Sequence, residues 1–145
     1  MSVRWGLTVD TADPPELARF WAGALRYAEP DPPAGYADWG AWLLAQGVPE
    51  QEWGDSAYLA DPQGVGPSLS FLRVPEAKVV KNRLHLDLKV SGGRDVPQRE
   101  RERRIRAEVA RLTDAGARTL TEHAGPGGLD HVTMADPEGN EFCVV

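Results

Sequence analysis

Two short stretches gather the residues that could do chemistry. RLHLDLKV, Arg83 to Val90, sets His85 and Asp87 two apart, and the closing DPEGNEFCVV sets Glu141 and Cys143 two apart. Side chains two apart share one face of a strand, so each stretch offers a polar pair to one side. An imidazole and a carboxylate can exchange a proton as acid and base, which makes His85 and Glu141, or His85 and Asp87, candidate catalytic pairs. Imidazole and thiolate are both zinc ligands, so His85 and Cys143, with Glu141 or Asp87 as a third arm, are the alternative. Cys143 is the only cysteine in the chain. As a nucleophile it needs a lowered thiol pKa and access; in a closing strand a lone cysteine more often serves as a small hydrophobe. The plainer alternative for all four is a hydrogen-bonded polar cluster at a strand seam, because buried polar groups must be paired.

The elements that must carry these residues are legible from periodicity. Arg4 to Asp10 alternates, with Trp5, Leu7 and Val9 on the apolar face, and predicts a half-buried strand. In DPPELARFWAGAL, Asp13 suits the N-cap and Pro14 the first helical position, while Glu16 completes a capping-box pattern. Leu17, Phe20, Trp21, Ala24 and Leu25 form the apolar stripe of that helix. The order then repeats. Arg83 to Val90 alternates with Leu84, Leu86, Leu88 and Val90 on its apolar face. A helix follows in QRERERRIRAEVARLTDAG, with Ile105, Val109 and Leu112 as its stripe and Gly116 as its cap. Strands are expected over Arg118–His123, Leu129–Ala135 and Glu141–Val145. The tags DPQG at Asp61 and DPEG at Asp136 lie roughly half the chain apart, and each is a turn signal before a final strand. The fold class is therefore α+β: one domain over 1–145, built of tandem βαβββ modules at about 1–75 and 82–145.

The first half carries a longer connection, PDPPAGYADWGAWLLAQGVPEQEWGD, which holds Trp39, Trp42 and Trp53. Asp38 can cap a short helix that Gly47 ends, and Pro49 can start a further turn. The aromatics either cover a sheet edge or roof a ligand pocket, since aromatic-lined concavities are the usual small-molecule site.

Composition narrows the classes. The formal net charge of -6 disfavours nucleic acid or an acidic membrane surface as partner. A single cysteine excludes an internal disulfide framework and a multi-cysteine zinc site. No long apolar run and no leader at Met1 are visible, so a cytoplasmic protein is expected. The arginines between Arg94 and Arg111 are interleaved with Glu100, Glu102 and Glu108, which reads as a salt-bridged, solvated helix face. In the linker Val74–Arg83, Asn82 is expected to bond the backbone. His123, before AGPGG, is expected at the surface.

Taken together, the tandem βαβββ order, FLRVPEAKVVKNRLHLDL and MADPEGNEFCV resemble the glyoxalase-like domain family of the vicinal oxygen chelate superfamily. That superfamily includes glyoxalase I, extradiol dioxygenases and bleomycin-resistance proteins. The resemblance covers nearly the whole chain. It implies a curved mixed sheet around a cleft, with helices outside. In metal-dependent members, the first and last strands of each half supply His, Gln or Glu ligands to a divalent ion. The corresponding positions here are Gly6, then Ser68 or Ser70, then His85, then Cys143. Only His85 is a usual ligand, so no cofactor is expected; if a divalent metal binds, its ligands are His85, Glu141 and Cys143.

The implied ligand pocket collects Trp39, Trp42, Trp53, His85, Asp87, His131, Glu141 and Cys143. His131 joins if Val132 and Met134 pack under the helix. The expected function is binding of a small organic molecule in the cleft, with catalysis left open. The alternatives are a metal-dependent lyase, isomerase or dioxygenase with a reduced ligand set around His85, and a non-catalytic structural or regulatory module. A homodimer is expected from the resemblance, because seam strands of such modules pair between subunits.

Overall fold

The computed structural model describes residues 4–145 as two compact units, one ending at Ala77 and one running from Lys78 to Val145. The first unit contains β1 (Gly6–Thr11), α1 (Pro14–Leu25), α2 (Trp39–Ala45), a 3₁₀ turn (Glu50–Asp55), β2 (Ser56–Leu59) and β3 (Ser68–Arg73). The second contains β4 (Asp87–Leu88), α3 (Gln98–Asp114), β5 (Arg118–Gly125), β6 (Gly128–Ala135) and β7 (Glu141–Val144).

Each unit builds a mixed sheet on the same plan. In the second unit the order is β4-β7-β6-β5, with the first strand parallel to the last and antiparallel pairs beyond it. The first unit has β1-β3-β2, again with first and last strands parallel. Its remaining strand is reduced to an isolated bridge between Ala28 and Ala60. The two DPxG tags adopt one turn. Asp61 accepts the amides of Gln63, Val65 and Gly66, and Asp136 accepts those of Glu138 and Asn140. Gly64 and Gly139 both sit at positive φ, 69° and 88°, which glycine adopts at little steric cost.

The helices start where their caps direct. The Asp13 carboxylate accepts the amide of Glu16. The reciprocal half of the capping box does not form: the Asp13 amide donates to Thr11 Oγ1, and Glu16 pairs with Arg19. Asp38 caps α2 through the Ala41 amide, and Pro49 precedes the 3₁₀ turn. Leu17, Phe20 and Trp21 of α1 are buried together with Leu59, Leu69 and Phe71 of the sheet. In the second unit Ile105 and Leu112 of α3 are buried with Val132, Met134, Phe142 and Val144.

Four expectations need correction. The strand over Arg83–Val90 shortens to Asp87–Leu88, which pair with Cys143 and Val144 of β7; continued backwards, that register sets Arg83 and Leu84 against Gly139 and Asn140 in the turn, where no strand is present to pair. Leu84, expected to be apolar-facing, is 78% exposed. Trp5, expected in the first strand, precedes it and is 64% exposed, since β1 begins where Gly6 meets the first residue of β3. On α3, Val109 is only half-buried, and the buried stripe instead includes Arg101. The Arg101 guanidinium bonds Gln98 and approaches Asp130 to 3.7 Å, while its Nε has no hydrogen-bond partner among the described residues.

Candidate functional site

Alternation on β6 decides which side chains of the second unit gather. Val132 and Met134 are buried on the α3 side, so His131 and Thr133 take the opposite face. Residues directly opposite on neighbouring strands share a face. Thr133 lies opposite Cys143, Cys143 opposite Asp87, and His131 opposite His123. A polar ladder results. The His123 and His131 rings stack with centroids 4.1 Å apart. His123 Nε2 lies 3.0 Å from Thr133 Oγ1, which lies 3.6 Å from Cys143 Sγ. At the far end His85 Nε2 is 3.3 Å from Asp87 Oδ1. His123, expected at the surface, is thus half-buried within the ladder. Neither it nor Thr133 was among the expected site residues; the hairpin register that brings them together is not visible in either strand alone.

His85, Asp87 and Cys143 form the tightest group, with one donor atom of each within 4.8 Å of the others. His85 and Asp87 are exposed and Cys143 is buried. Asp87, not Glu141, completes this trio. Glu141 is held by Lys81, whose hydrogen bond keeps its carboxyl below the usual range, with weaker pulls from Lys78 and His85. The Glu141 amide donates to Asn82 Oδ1 at 2.9 Å, so Asn82 does fix the linker to backbone. His131 Nδ1 lies 2.9 Å from Asp130 Oδ2. That bond, with the Arg94 pair, lowers the Asp130 pKa.

The residues do not fit the hard-ion, four-ligand site that the resemblance implies. A Cβ at Gly6 would come within 2.9 Å of Ser68 Oγ and 3.2 Å of Ser68 O, so that position is closed to a ligand side chain unless Ser68 moves. Serine hydroxyls at 68 and 70 are weak donors to an ion. Nitrogen, oxygen and sulfur from His85, Asp87 and Cys143 instead suit a borderline ion such as zinc.

The tryptophans gather in the first unit. Trp39 stacks on Tyr58 with centroids 5.8 Å apart and meets Trp42 edge-on at 5.5 Å. Trp53 packs so closely on α2 that a Cβ at Gly40 would stand 2.9 Å from its ring. These rings wall a cavity of about 390 Å³ between α1, α2 and β2. Its lining comes from the first unit, and His85, Asp87, His131, Glu141 and Cys143 do not contribute to it. Neither α2 nor the 3₁₀ turn has a fully buried residue, so the aromatic segment is not a core element. Tyr58 was the missed member; its place on a strand just before the DPQG tag was the available signal.

Across the chain, residues 6–145 match the glyoxalase-like domain family. The chain belongs to that family. No curated protein matches. Solved structures share the fold at low identity. A glyoxalase/bleomycin resistance/dioxygenase family enzyme from Burkholderia phytofirmans is 13% identical, with 95% of this chain and 93% of that one covered and a TM-score of 0.57. A possible glyoxalase from Bacillus cereus is 12% identical over 100% and 99%, with a TM-score of 0.59. A fosfomycin resistance protein from Listeria monocytogenes, a complex with Mn(II) and a dihydroxypropylphosphonic acid, is 10% identical over 99% and 89%, with a TM-score of 0.61. At these identities the likeness establishes the α+β glyoxalase-type fold, and not the chemistry of this family member.

Proposed function

We propose that this glyoxalase-like protein binds a small organic molecule in the cavity walled by Trp39, Trp42 and Trp53. The carrying observation is a cavity of about 390 Å³ on an aromatic segment that supplies no fully buried residue, a size ordinary for small-molecule sites. Rings kept half-exposed around a concavity are better explained by a ligand than by core packing. A thermal-shift screen of chemically diverse small molecules, followed by tryptophan fluorescence titration of the hits, tests this. Hits are expected to lose affinity in Trp42→Leu; unchanged affinity in that variant would remove the cavity as their site. A homodimeric, cytoplasmic protein completes the proposal, and light scattering at several concentrations checks the assembly.

A second reading rests on the trio in the other unit. His85, Asp87 and Cys143 would hold a zinc-class ion, which on binding supplies Lewis-acid polarisation of a substrate oxygen. His85 would give the ion a nitrogen, Asp87, whose Oδ1 lies 3.3 Å from His85 Nε2, a carboxylate oxygen, and Cys143 a thiolate. Elemental analysis of purified protein separates the two readings: stoichiometric zinc that is lost in His85→Ala favours the ion, and metal-free protein with no melting shift on added Zn²⁺ excludes it.

A further inference from the structure

We infer that the ligand of the tryptophan cavity is an organic cation, an apolar or aromatic body carrying a positively charged nitrogen. This rests on the cavity being a ligand site and adds the charge of what it takes.

The first observation is what the walls offer. Trp39, Trp42, Trp53 and Tyr58 present π-systems to one space. Two of the indole N–H groups are already committed: Trp39 Nε1 donates to Pro30 O at 2.7 Å and Trp53 Nε1 to Val48 O at 3.0 Å. Those two indoles therefore offer a ligand ring surface and no donor. Aromatic faces carry a negative quadrupole and attract a cation placed over them.

The second observation is the charge at the lining. Only Arg19 and Glu29 are ionisable at neutral pH among the lining residues. The Arg19 guanidinium is paired with Glu16 on the preceding turn of α1. The Glu29 carboxylate has no hydrogen bond or ion pair among the described residues, and it is exposed. The lining therefore holds one guanidinium that already has a carboxylate partner and one carboxylate that has none among the described residues. An anionic ligand would meet that unpartnered carboxylate and a guanidinium already engaged by Glu16. A cation would meet a carboxylate and several aromatic rings, the combination that recognises alkylated ammonium groups.

The test uses three probes on the full chain: 3-hydroxyphenyltrimethylammonium, its neutral isostere 3-tert-butylphenol, and the anion 4-tert-butylbenzoate of similar bulk, each titrated by calorimetry and tryptophan fluorescence. The cation is expected to bind about tenfold tighter than its neutral isostere. Glu29→Gln is expected to narrow that gap by about threefold or more, with the far-UV spectrum and melting temperature unchanged. Trp42→Leu should weaken both probes. Equal affinity for the cation and the neutral isostere, or preference for the anion, overturns the cation inference while leaving the cavity as a ligand site. No binding of any of the three to the folded wild-type protein, together with an empty screen, overturns both.

Discussion

Asp136 shows how much one side chain can organise here. It is 1% exposed, and its carboxylate accepts the amides of Glu138 and Asn140 and the Asn140 side-chain amide. Those bonds shape the turn that delivers β7, and with it Cys143, to the sheet. Asp136→Ala leaves part-buried amides without their acceptor, so a loss of about 1–3 kcal/mol is expected, measured by urea denaturation. Asp61 makes the equivalent turn in the first unit, and the amides of Gly66 and Gln63 keep its carboxyl below the ordinary range. It is more exposed, so the same substitution there should cost less. Arg26 is the other residue with a clear local cost. It ends α1 at φ 57°, the one non-glycine residue at positive φ among those described. A side chain there is strained, so Arg26→Gly is expected to stabilise the protein by about 0.5–1 kcal/mol, read as a higher melting temperature.

Among the elements, α3 depends most on charge. Its Glu100 carboxylate bonds both Arg103 and Arg104, and Arg106 bonds Glu102 and Glu122. The bonds from Arg103 and then Arg104 bring the Glu100 pKa from the ordinary 4.5 down to about 2. A carboxylate whose folded pKa is depressed stabilises the fold fully above its unfolded pKa, and that contribution fades as pH falls toward the folded value. Glu100→Gln should therefore be less stable than wild type at neutral pH, with the difference closing between pH 4.5 and about 2. Chemical denaturation across that window checks it, and added salt should shrink the neutral-pH difference, because the pairs are exposed. A difference that grows on acidification would contradict the assignment. The shorter α2 depends on a different device, the Asp38 cap, with no buried residue beneath it. Its Trp39 stacks on Tyr58 of β2 and donates its indole N–H to Pro30 O, two contacts that hold it over the cavity.

At the scale of the molecule, two units each close their own core around one helix. Ile105 is fully buried under the second sheet. Ile105→Ala is expected to cost about 2–5 kcal/mol and to raise hydrogen exchange at the amides of β6 and β7. Unchanged protection there would mean that α3 does not anchor that sheet. Much of this architecture is legible in the residues. The caps at Asp13 and Asp38, the turns at Asp61 and Asp136 and the long helix over Gln98–Asp114 each depend on neighbours a few positions away. Local chemistry of that kind is written in order along the chain. The length of β4 is not, because it depends on how many residues of β7 are free to pair. The candidate site divides the same way. The types and spacing of His85, Asp87 and Cys143 marked them, and alternation put His131 on their face. That His123 and Thr133 extend the row, that Lys81 draws Glu141 aside, and that the three tryptophans meet Tyr58 around a space of their own were decided by the tertiary structure. The sequence by itself determined the elements, the repeat and the family; the tertiary structure decided which side chains meet, because strand register and long-range packing join residues that share no local signal.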